Sequence, residues 1–295
     1  MNLSEFKPHD KQKAVLRSPY RFNICVTGIR GGKTLVGAAW LLQEIYKHYS
    51  AGLVGDYLIL APTVKILHQA ALPTFMELMP TDWGELKEQK QEIELAWGKR
   101  IFLRSTDEPN AMEGITALGL WYDEAGMGKE MAWINAQGRL SMHRGRAILT
   151  TTPYFNPWFK KAVDDQRGYE NGNKTAFDQR DEAVAFWNWR SIDNPHFPMD
   201  EYERAKKTMS EPLFDMRYNG KFTKLTGLVY KEFDASRHVV KPFVIPASWK
   251  RFAGLDFGHS DPTVVLCIAV KPEEKKTEVV NGVPLETVEP DKIYV

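Results

Sequence analysis

The stretch over residues 22–34 constrains the fold of this chain more than any other feature. It reads Phe-Asn-Ile-Cys-Val-Thr-Gly-Ile-Arg-Gly-Gly-Lys-Thr. The apolar, β-branched residues 22–26 predict a buried strand, and residues 35–42 predict a helix. Between them, Gly31 and Gly32 allow positive φ and a close approach of the backbone to a ligand. Because such a loop ends on a helix N-terminus, it points backbone N–H groups at an anion such as a phosphate.

The end of this loop carries the side chains of a nucleoside triphosphate site. We expect Lys33 to reach the β and γ phosphates and the Thr34 hydroxyl to bind Mg²⁺. The general phosphate-loop pattern has Gly where Thr27 stands. An ordinary Gly-rich turn between a strand and a helix is the alternative interpretation. The residues of this loop that we expect to bind the nucleotide are Thr27, Gly28, Ile29, Arg30, Gly31, Gly32, Lys33 and Thr34.

A second apolar stretch, residues 118–122, predicts a strand that ends in two adjacent carboxylates, Asp123 and Glu124. A triphosphate site needs a metal holder and a group that orients and deprotonates water. We expect Asp123 to hold Mg²⁺, directly or through water, and Glu124 to be the general base on the attacking water. A helix N-cap is the alternative interpretation of this carboxylate pair.

Two further stretches offer polar groups to the same site. Residues 146–153 predict a strand that ends in hydroxyls, and one of Thr150 to Thr152 could lie near the γ-phosphate. A plain strand rich in β-branched residues is the alternative. Near the N-terminus, Gln12 is a candidate base reader, because its amide can pair with N6 and N7 of adenine. A solvated N-terminal helix is equally compatible with that segment.

The order of the predicted elements indicates the fold class. Strands that alternate with helical or mixed segments, with polar groups at their C-terminal ends, predict a mostly parallel α/β sheet flanked by helices. Residues 56–63 predict a further buried strand, and residues 92–103 a β-hairpin. Residues 64–79 predict a helix that Pro73 kinks or splits.

The C-terminal half is aromatic and irregular before a new strand pattern begins near residue 250. Residues 186–190, Phe-Trp-Asn-Trp-Arg, could form a further strand, and we interpret residues 178–230 as a lid region followed by a linker. Residues 251–258 and 263–270 then predict a hairpin, and residues 291–295 the start of a third strand. The predicted domains are a nucleotide domain over 1–215, with 178–215 as part of the lid region, a linker over 216–250, and a second domain over 251–295.

Taken in order, these motifs resemble the large subunit of tailed-bacteriophage terminases, the motor and nuclease that packages DNA into a capsid. Residues 27–34 resemble its deviant phosphate loop, residues 118–124 its metal-binding strand, and residues 149–153 its coupling motif. Residues 251–262, with Leu-Asp-Phe-Gly-His-Ser-Asp at their centre, resemble the first strand of its RNase H-like nuclease. Residues 6–12 fit its adenine-binding motif less specifically.

The resemblance implies a P-loop NTPase domain of the ASCE or RecA-like type, followed by a truncated RNase H-like α/β domain. It implies an ATPase that uses ATP and Mg²⁺ to move double-stranded DNA into a procapsid, with a nuclease that cuts concatemeric DNA using Mg²⁺ or Mn²⁺. Double-stranded DNA, a terminase small subunit, a portal protein and further copies of the chain in a ring are the implied partners. The implied catalytic residues are Glu124, Lys33, Arg30 and Thr152, and Gln12 joins the loop residues in binding ATP.

Two positions depart from the family pattern. Many relatives carry an arginine finger where Glu113 stands, so the arginine must come from elsewhere or be absent. The unranked candidates are Arg104, Arg139, Arg144 and Arg146. At the nuclease, only Asp256 falls at a matching metal-binding position. We expect the other carboxylates to lie beyond Val295, and we therefore expect no DNA cleavage by this chain.

Composition adds little to these expectations about function. A formal charge of +1 over 295 residues says little about partners. The two cysteines lie in apolar runs, which favours core positions over a disulfide and suits the host cytoplasm. No apolar run reaches the length of a membrane span, so we expect no membrane partner. The competing functions are a helicase or other DNA translocase ATPase, and a non-hydrolysing nucleotide-binding scaffold.

Overall fold

The fold is described from a computed structural model that covers residues 5–154, 156–164, 184–223, 238–257, 263–272, 274–280, 283–289 and 292–294. The chain divides into two compact units, Met1–Gly227 and Leu228–Val295. Among the described residues, no helix combines the length and the apolar character that crossing a membrane requires.

The first unit contains a single eight-stranded sheet with helices on both faces. Its strands are β1 (Phe22–Thr27), β2 (Asp56–Ala61), β3 (Gly84–Lys87), β4 (Glu92–Leu95), β5 (Arg100–Ser105), β6 (Ala117–Asp123), β7 (Arg146–Thr151) and β8 (Val184–Trp189). Its α-helices are α1 (Asp10–Leu16), α2 (Lys33–Ser50), α3 (Val64–Ile66), α4 (Leu72–Leu78), α5 (Glu130–Ser141), α6 (Pro157–Asp164), α7 (Met199–Thr208) and α8 (Glu211–Tyr218).

The strand order across this sheet is β3-β4-β5-β2-β6-β7-β1-β8. The six strands from β5 to β8 in that order pair in parallel, whereas β3 and β4 add an antiparallel edge. The predicted class, a mostly parallel α/β sheet flanked by helices, is therefore confirmed. The carboxyl ends of β6, β7 and β1 meet at one edge of the sheet, where ligands bind in open α/β sheets.

The sheet is buried on both faces, which explains the nearly continuous apolar strand sequences. Every residue of β1 and of β6 is buried. One core lies between the sheet and the helices α1, α2 and α4, and Trp40, Trp121 and Trp189 are its largest fully buried side chains. A second core on the opposite face includes residues of α5 and α6.

The segment predicted as one kinked helix over 64–79 is broken earlier than expected. The short α3 passes into a π-helical turn, Leu67–Ala71, and α4 begins at Leu72. Pro73 therefore occupies the first turn of α4, where its missing N–H group leaves no hydrogen bond unmade. The hairpin predicted over 92–103 is confirmed as the antiparallel pair β4–β5.

The region predicted to contain a lid supplies a strand of the main sheet. β8 pairs in parallel with β1 at the sheet edge, and the helices α7 and α8 follow it. Residues 178–183 of that prediction and residues 224–237 of the predicted linker lie outside the described residues. The lid interpretation stays a prediction, but residues 184–189 belong to the sheet.

The second unit contains the predicted hairpin and third strand. The strands β9 (Lys250–Asp256) and β10 (Val264–Lys271) pair antiparallel, and β13 (Lys292–Tyr294) pairs with β10. A separate hairpin joins β11 (Glu274–Val280) to β12 (Val283–Glu289). Cys25 of the first unit is buried as expected, but Cys267 of β10 is exposed, so the prediction that it lies in a core is wrong.

Candidate functional site

The loop between β1 and α2 has the geometry of an anion cradle. Arg30 (φ 58°) and Gly32 (φ 84°) both adopt left-handed backbone conformations, which turn the chain into α2. Within the described residues, the N–H groups of Gly32, Lys33 and Thr34 donate no hydrogen bond. A helix start leaves such N–H groups free for a ligand.

The backbone of this loop is fixed by the segment that follows β8. The Gly28 N–H donates to the Trp189 carbonyl over 3.0 Å, and the Ile29 N–H donates to the Arg217 carbonyl over 2.6 Å. A Cβ atom on Gly28 would lie only 2.3 Å from the carbonyl oxygen of Tyr218. Position 28 therefore requires glycine because of packing, which the phosphate-loop pattern alone does not specify.

Side chains from the same segment bind the carbonyl groups of the loop. The Trp189 indole N–H donates to the Gly31 carbonyl over 2.8 Å. The Ser191 hydroxyl donates to the carbonyl of Ile29 over 2.6 Å, and the Asn194 amide to that of Arg30 over 2.8 Å. The sequence does not predict these roles of Trp189, Ser191 and Asn194, because the three residues lie about 160 positions from the loop and form no motif with it.

Gln12 lies beneath the loop and is nearly fully buried. Its amide NH₂ donates to the Gly32 carbonyl over 2.9 Å, and its amide oxygen accepts from the His9 N–H over 3.1 Å. Both atoms that would read adenine are therefore engaged in holding the loop and the start of α1. The adenine contact stays a prediction, and it would use the one hydrogen-bonding position that each of these atoms retains.

A cavity of about 410 Å³ adjoins this part of the loop. His9, Asp10, Lys11, Asp193 and Pro195 line it. The His9 ring nitrogen Nε2 lies 3.3 Å from the Gly31 carbonyl oxygen, so the cavity borders the phosphate loop directly. Burial holds the pKa of His9 below its usual value, although the Gly31 carbonyl and nearby carboxylates act in the opposite direction.

Lys33 and Glu124, the two residues predicted to carry the central charges, form an ion pair. Their Nζ and Oε1 atoms are 3.0 Å apart, and the side chains are only 11% and 16% exposed. Burial acts to lower the pKa of Lys33, but attraction to Glu124 and Asp123 outweighs it and raises that pKa. Lys33 is therefore a buried cation with its charge fully present at neutral pH. Glu124 itself adopts a left-handed conformation (φ 50°), which residues other than glycine rarely adopt.

Asp123 lies at the carboxyl end of β6 and is completely buried. Its Oδ1 atom accepts from the Thr150 hydroxyl over 2.7 Å, whereas Oδ2 has no hydrogen-bond partner within the described residues. Burial, reinforced by repulsion from Glu124, raises the pKa of Asp123 to about 6, even though Lys33 and Thr150 favour its charged form.

These observations fit a divalent cation held by Asp123. A buried carboxylate oxygen without a partner is costly, and a cation or its bound water would satisfy it. Oxygen atoms from a carboxylate and a hydroxyl are the ligands that Mg²⁺ prefers. Thr34, the predicted second ligand, is half-buried in the first turn of α2.

The predicted hydroxyl groups at the end of β7 lie beside the carboxylates. The Thr151 hydroxyl lies 3.3 Å from Oε2 of Glu124, and the Thr152 backbone N–H lies 3.4 Å from the same atom. The Thr152 hydroxyl is buried without a hydrogen-bond partner within the described residues. The end of β7 thus surrounds Glu124 with donors and leaves one polar group, that of Thr152, unsatisfied.

The structure separates the four arginine candidates into two pairs. Arg104 donates to three backbone carbonyls of its own chain, and Arg146 forms a 2.6 Å ion pair with Glu44. Both have structural roles within their own chain. Arg144 is exposed, and the Nε atom of Arg139 is buried without a hydrogen-bond partner in the described part of the chain.

Asp256, the predicted nuclease ligand, ends β9 opposite Val264 and is exposed. Residues 258–262 of the matching motif lie outside the described residues. In the part of the chain that the structure describes, no group of three or more His, Cys, Asp or Glu side chains could hold a metal ion.

Three features define the first unit as a P-loop, RecA-like α/β domain. They are the mostly parallel sheet, the loop that ends at Lys33, and the carboxylate pair at the end of β6. No family model matches the chain. It is 26% identical over 258 residues to the terminase large subunit of Escherichia phage T5, and the alignment covers 78% of this chain and 55% of that protein. The chain thus spans about half the length of this curated relative.

Solved structures of similar fold include phage large terminases. The large terminase ATPase domain of Thermus phage P74-26 matches with a TM-score of 0.59 and 19% identity, over 75% of this chain and 96% of that domain. The large terminase of another thermophilic bacteriophage, in complex with ADP, matches with a TM-score of 0.59 and 20% identity, over 96% of this chain and 69% of that one. The resemblance to terminase large subunits, made from the sequence motifs, is thereby confirmed, together with the fold class.

Proposed function

We propose that this chain is the ATP-hydrolysing subunit of a motor that moves double-stranded DNA into a viral procapsid. The observation that carries the proposal is the buried pair Lys33–Glu124 beside Asp123. The pair lies at the end of a loop where, within the described residues, the N–H groups of Gly32, Lys33 and Thr34 donate no hydrogen bond. These groups lie at the carboxyl ends of β1 and β6, which only β7 separates.

The geometry supports the following course for hydrolysis. The free N–H groups at the start of α2 bind phosphate oxygens, and Lys33 turns from Glu124 to the β and γ phosphates. Because Glu124 then loses its partner, its carboxylate can orient a water molecule and take its proton as the oxygen attacks the γ phosphorus. The bond from that phosphorus to the β–γ bridging oxygen breaks, which leaves ADP and inorganic phosphate.

Mg²⁺, when bound, would neutralise charge that develops on the phosphate oxygens. Asp123 and Thr34 are the residues of this chain that would hold it. Thr152 would hold a phosphate oxygen with its unsatisfied hydroxyl, and Arg30, exposed on the loop, would approach the phosphates from solvent. The cavity beside His9 would receive the nucleoside.

The motor role rests on the resemblance to whole terminases. The thermophilic-phage large terminase that was solved with ADP has also been solved with ATP-γ-S, and both complexes support ATP as the nucleotide here. The proposal takes double-stranded DNA, a terminase small subunit, a portal protein and a ring of copies as partners in the host cytoplasm, as the resemblance to terminase large subunits implies. Asp256 would belong to a nuclease centre with Mg²⁺ or Mn²⁺ ions.

The test replaces the general base and measures binding and turnover separately. Glu124→Gln should bind ATP and lower phosphate release about 10²–10⁴-fold, because the proton acceptor is lost. Lys33→Ala should lose both binding and turnover. Phosphate release is measured with and without double-stranded DNA, and Glu130→Gln, an exposed position of α5, serves as the control.

Two results would contradict the proposal. Turnover near the wild-type rate in Glu124→Gln would show that another group activates the water. ATP binding without any hydrolysis by the wild-type protein, with or without DNA, would favour the non-hydrolysing scaffold.

A further inference from the structure

A chain of two buried hydrogen bonds leads from Trp121 to the carboxylate of Asp123. The Trp121 indole N–H donates to the Thr150 hydroxyl oxygen over 2.9 Å. The same hydroxyl donates to Asp123 Oδ1 over 2.7 Å. All three residues are completely buried, on the neighbouring strands β6 and β7. Trp121 belongs to none of the catalytic or binding roles described above.

The chemistry of the groups fixes the direction of this chain. An indole N–H can only donate a hydrogen bond, so the Thr150 oxygen must accept from it. A hydroxyl has one hydrogen, and here it is directed at Asp123 Oδ1. Because Oδ1 is thereby occupied, Oδ2 is the oxygen of Asp123 that lacks a partner within the described residues.

The indole ring of Trp121 packs against helix α2 at Gly37. A Cβ atom on Gly37 would lie 2.2 Å from Nε1 and 2.5 Å from Cε2 of Trp121. Such distances are shorter than any real contact, so a larger residue at position 37 would displace the ring. Since α2 begins at Lys33, the indole lies between the helix that carries the phosphate loop and the strand that carries Asp123.

We propose that Trp121 is a positioning residue for the carboxylate of Asp123, acting through the Thr150 hydroxyl to keep Oδ2 available to the divalent cation of a bound metal–nucleotide. The proposal rests on the proposed function and adds a residue to it. Partners that orient a metal-binding group typically change metal affinity 10–100-fold when they are removed.

The test measures metal binding without hydrolysis. Fluorescence of N-methylanthraniloyl-ADP reports nucleotide binding while Mg²⁺ is titrated, and a parallel titration in EDTA reports binding without metal. Trp121→Phe keeps an aromatic ring but removes the donor, and Thr150→Val removes the hydroxyl with little change of volume. We expect each variant to raise the Mg²⁺ concentration for half-maximal response about 10–100-fold. Binding in EDTA should stay at the wild-type value.

Three controls separate positioning from packing. Thr150→Ser keeps a hydroxyl and should restore the wild-type Mg²⁺ titration. The double variant should be no worse than either single one, because both remove the same chain of hydrogen bonds. Trp187→Phe removes another buried indole donor, which binds Asn23 Oδ1 over 3.0 Å on a different strand pair, and it should leave the titration unchanged.

The proposal is overturned if Trp121→Phe and Thr150→Val titrate with Mg²⁺ as Trp187→Phe does, because the indole would then only fill space. It is also overturned if Thr150→Ser titrates like Thr150→Val. If wild-type protein binds the nucleotide with no dependence on Mg²⁺, the proposed function fails and takes this proposal with it.

Discussion

Asp123 is a buried carboxylate in an environment that disfavours its charge. A carboxyl group in a completely buried position favours its neutral form, and here its pKa rises to about 6 because burial and repulsion from Glu124 exceed the help of Lys33 and Thr150. At neutral pH it is therefore a buried charge with one oxygen that has no partner among the described residues. Such perturbed groups concentrate at functional sites, because a ligand supplies the missing interaction.

Replacing this charge by a neutral amide should change how stability depends on pH. Between about pH 4 and pH 6 the native wild-type protein binds a proton at Asp123 that the unfolded chain does not, so this group lowers stability as pH rises. The free energy of unfolding of Asp123→Asn minus that of wild type should therefore be largest at pH 7.5. It should decrease by about 1–2 kcal/mol by pH 5, since one pKa unit corresponds to roughly 1.4 kcal/mol.

Urea unfolding in EDTA at both pH values measures this difference, with Asp107→Asn at an exposed position as the control. A difference between Asp123→Asn and wild type that is constant over this pH range would show that Asp123 titrates at an ordinary pKa. Mg²⁺-dependent turnover should be lost in Asp123→Asn at every pH.

At this scale, sequence analysis named the charged residues but not the neutral ones that place them. Local spacing in the sequence is enough to find Lys33, Asp123 and Glu124. Each lies directly after a predicted strand or loop, and that position alone brings its side chain to the carboxyl edge of the sheet. Trp121 makes a hydrogen bond to the neighbouring strand β7, and Trp189 makes one to the phosphate loop after β1. Both roles depend on strand order. No local pattern in a sequence records that order.

At the scale of elements, the strands were predictable because most are buried on both faces and have distinct apolar sequences. The break before α4 was not predictable, because the residues of the π-helical turn, Leu67–Ala71, have no sequence signal as distinct as a proline. The sequence offered a further strand over residues 186–190, and β8 confirms it, but its partner strand was not predictable. Its pairing with β1 places Trp189 under the phosphate loop.

Two helix glycines allow a prediction about how α2 and β6 fit together. Gly37 of α2 contacts Trp121 so closely that a methyl group has no space, whereas a methyl group on Gly138 of α5 would meet no described atom within 4 Å. Gly138→Ala should raise the free energy of unfolding by about 0.5–1 kcal/mol, because alanine loses less backbone entropy in a helix. Gly37→Ala should lower it by roughly 1–3 kcal/mol through overpacking.

Urea unfolding of the two variants beside wild type checks both signs. Gly37→Ala should also raise the Mg²⁺ requirement for nucleotide binding, because the ring it displaces positions Asp123 through Thr150. Equal free energies of unfolding of the two alanine variants would contradict this prediction. The Trp121 ring would then move aside without strain, and its contact with Gly37 would not set the distance between α2 and β6.

At the scale of the whole molecule, the arginine finger that the resemblance implies stays a prediction, with four candidates in this chain. Arg104 and Arg146 are held by their own chain, which leaves Arg139 and Arg144, on α5 and just beyond it. Arg144 is exposed, so a neighbouring copy in a ring could receive it. An arginine supplied in this way contributes about 10³–10⁵ in rate where it has been measured.

Mixing two inactive variants tests whether that arginine acts between subunits. Arg144→Ala retains its own Glu124, and Glu124→Gln retains its own Arg144. If the arginine acts on the next subunit, an equal mixture at high protein concentration with double-stranded DNA should recover roughly a quarter of wild-type phosphate release. Half of the sites retain Glu124, and half of those follow a neighbour with the arginine.

The outcome distinguishes the remaining arrangements. A mixture no more active than its separate components would place the arginine within its own subunit. Wild-type turnover by Arg144→Ala alone would exclude that residue, and the same mixture with Arg139→Ala then tests the other candidate. Helix α5 begins seven residues after Asp123 in the sequence. If an arginine at or just beyond its C-terminal end acts on the neighbouring subunit, α5 joins the carboxylate pair of one subunit to the nucleotide site of the next.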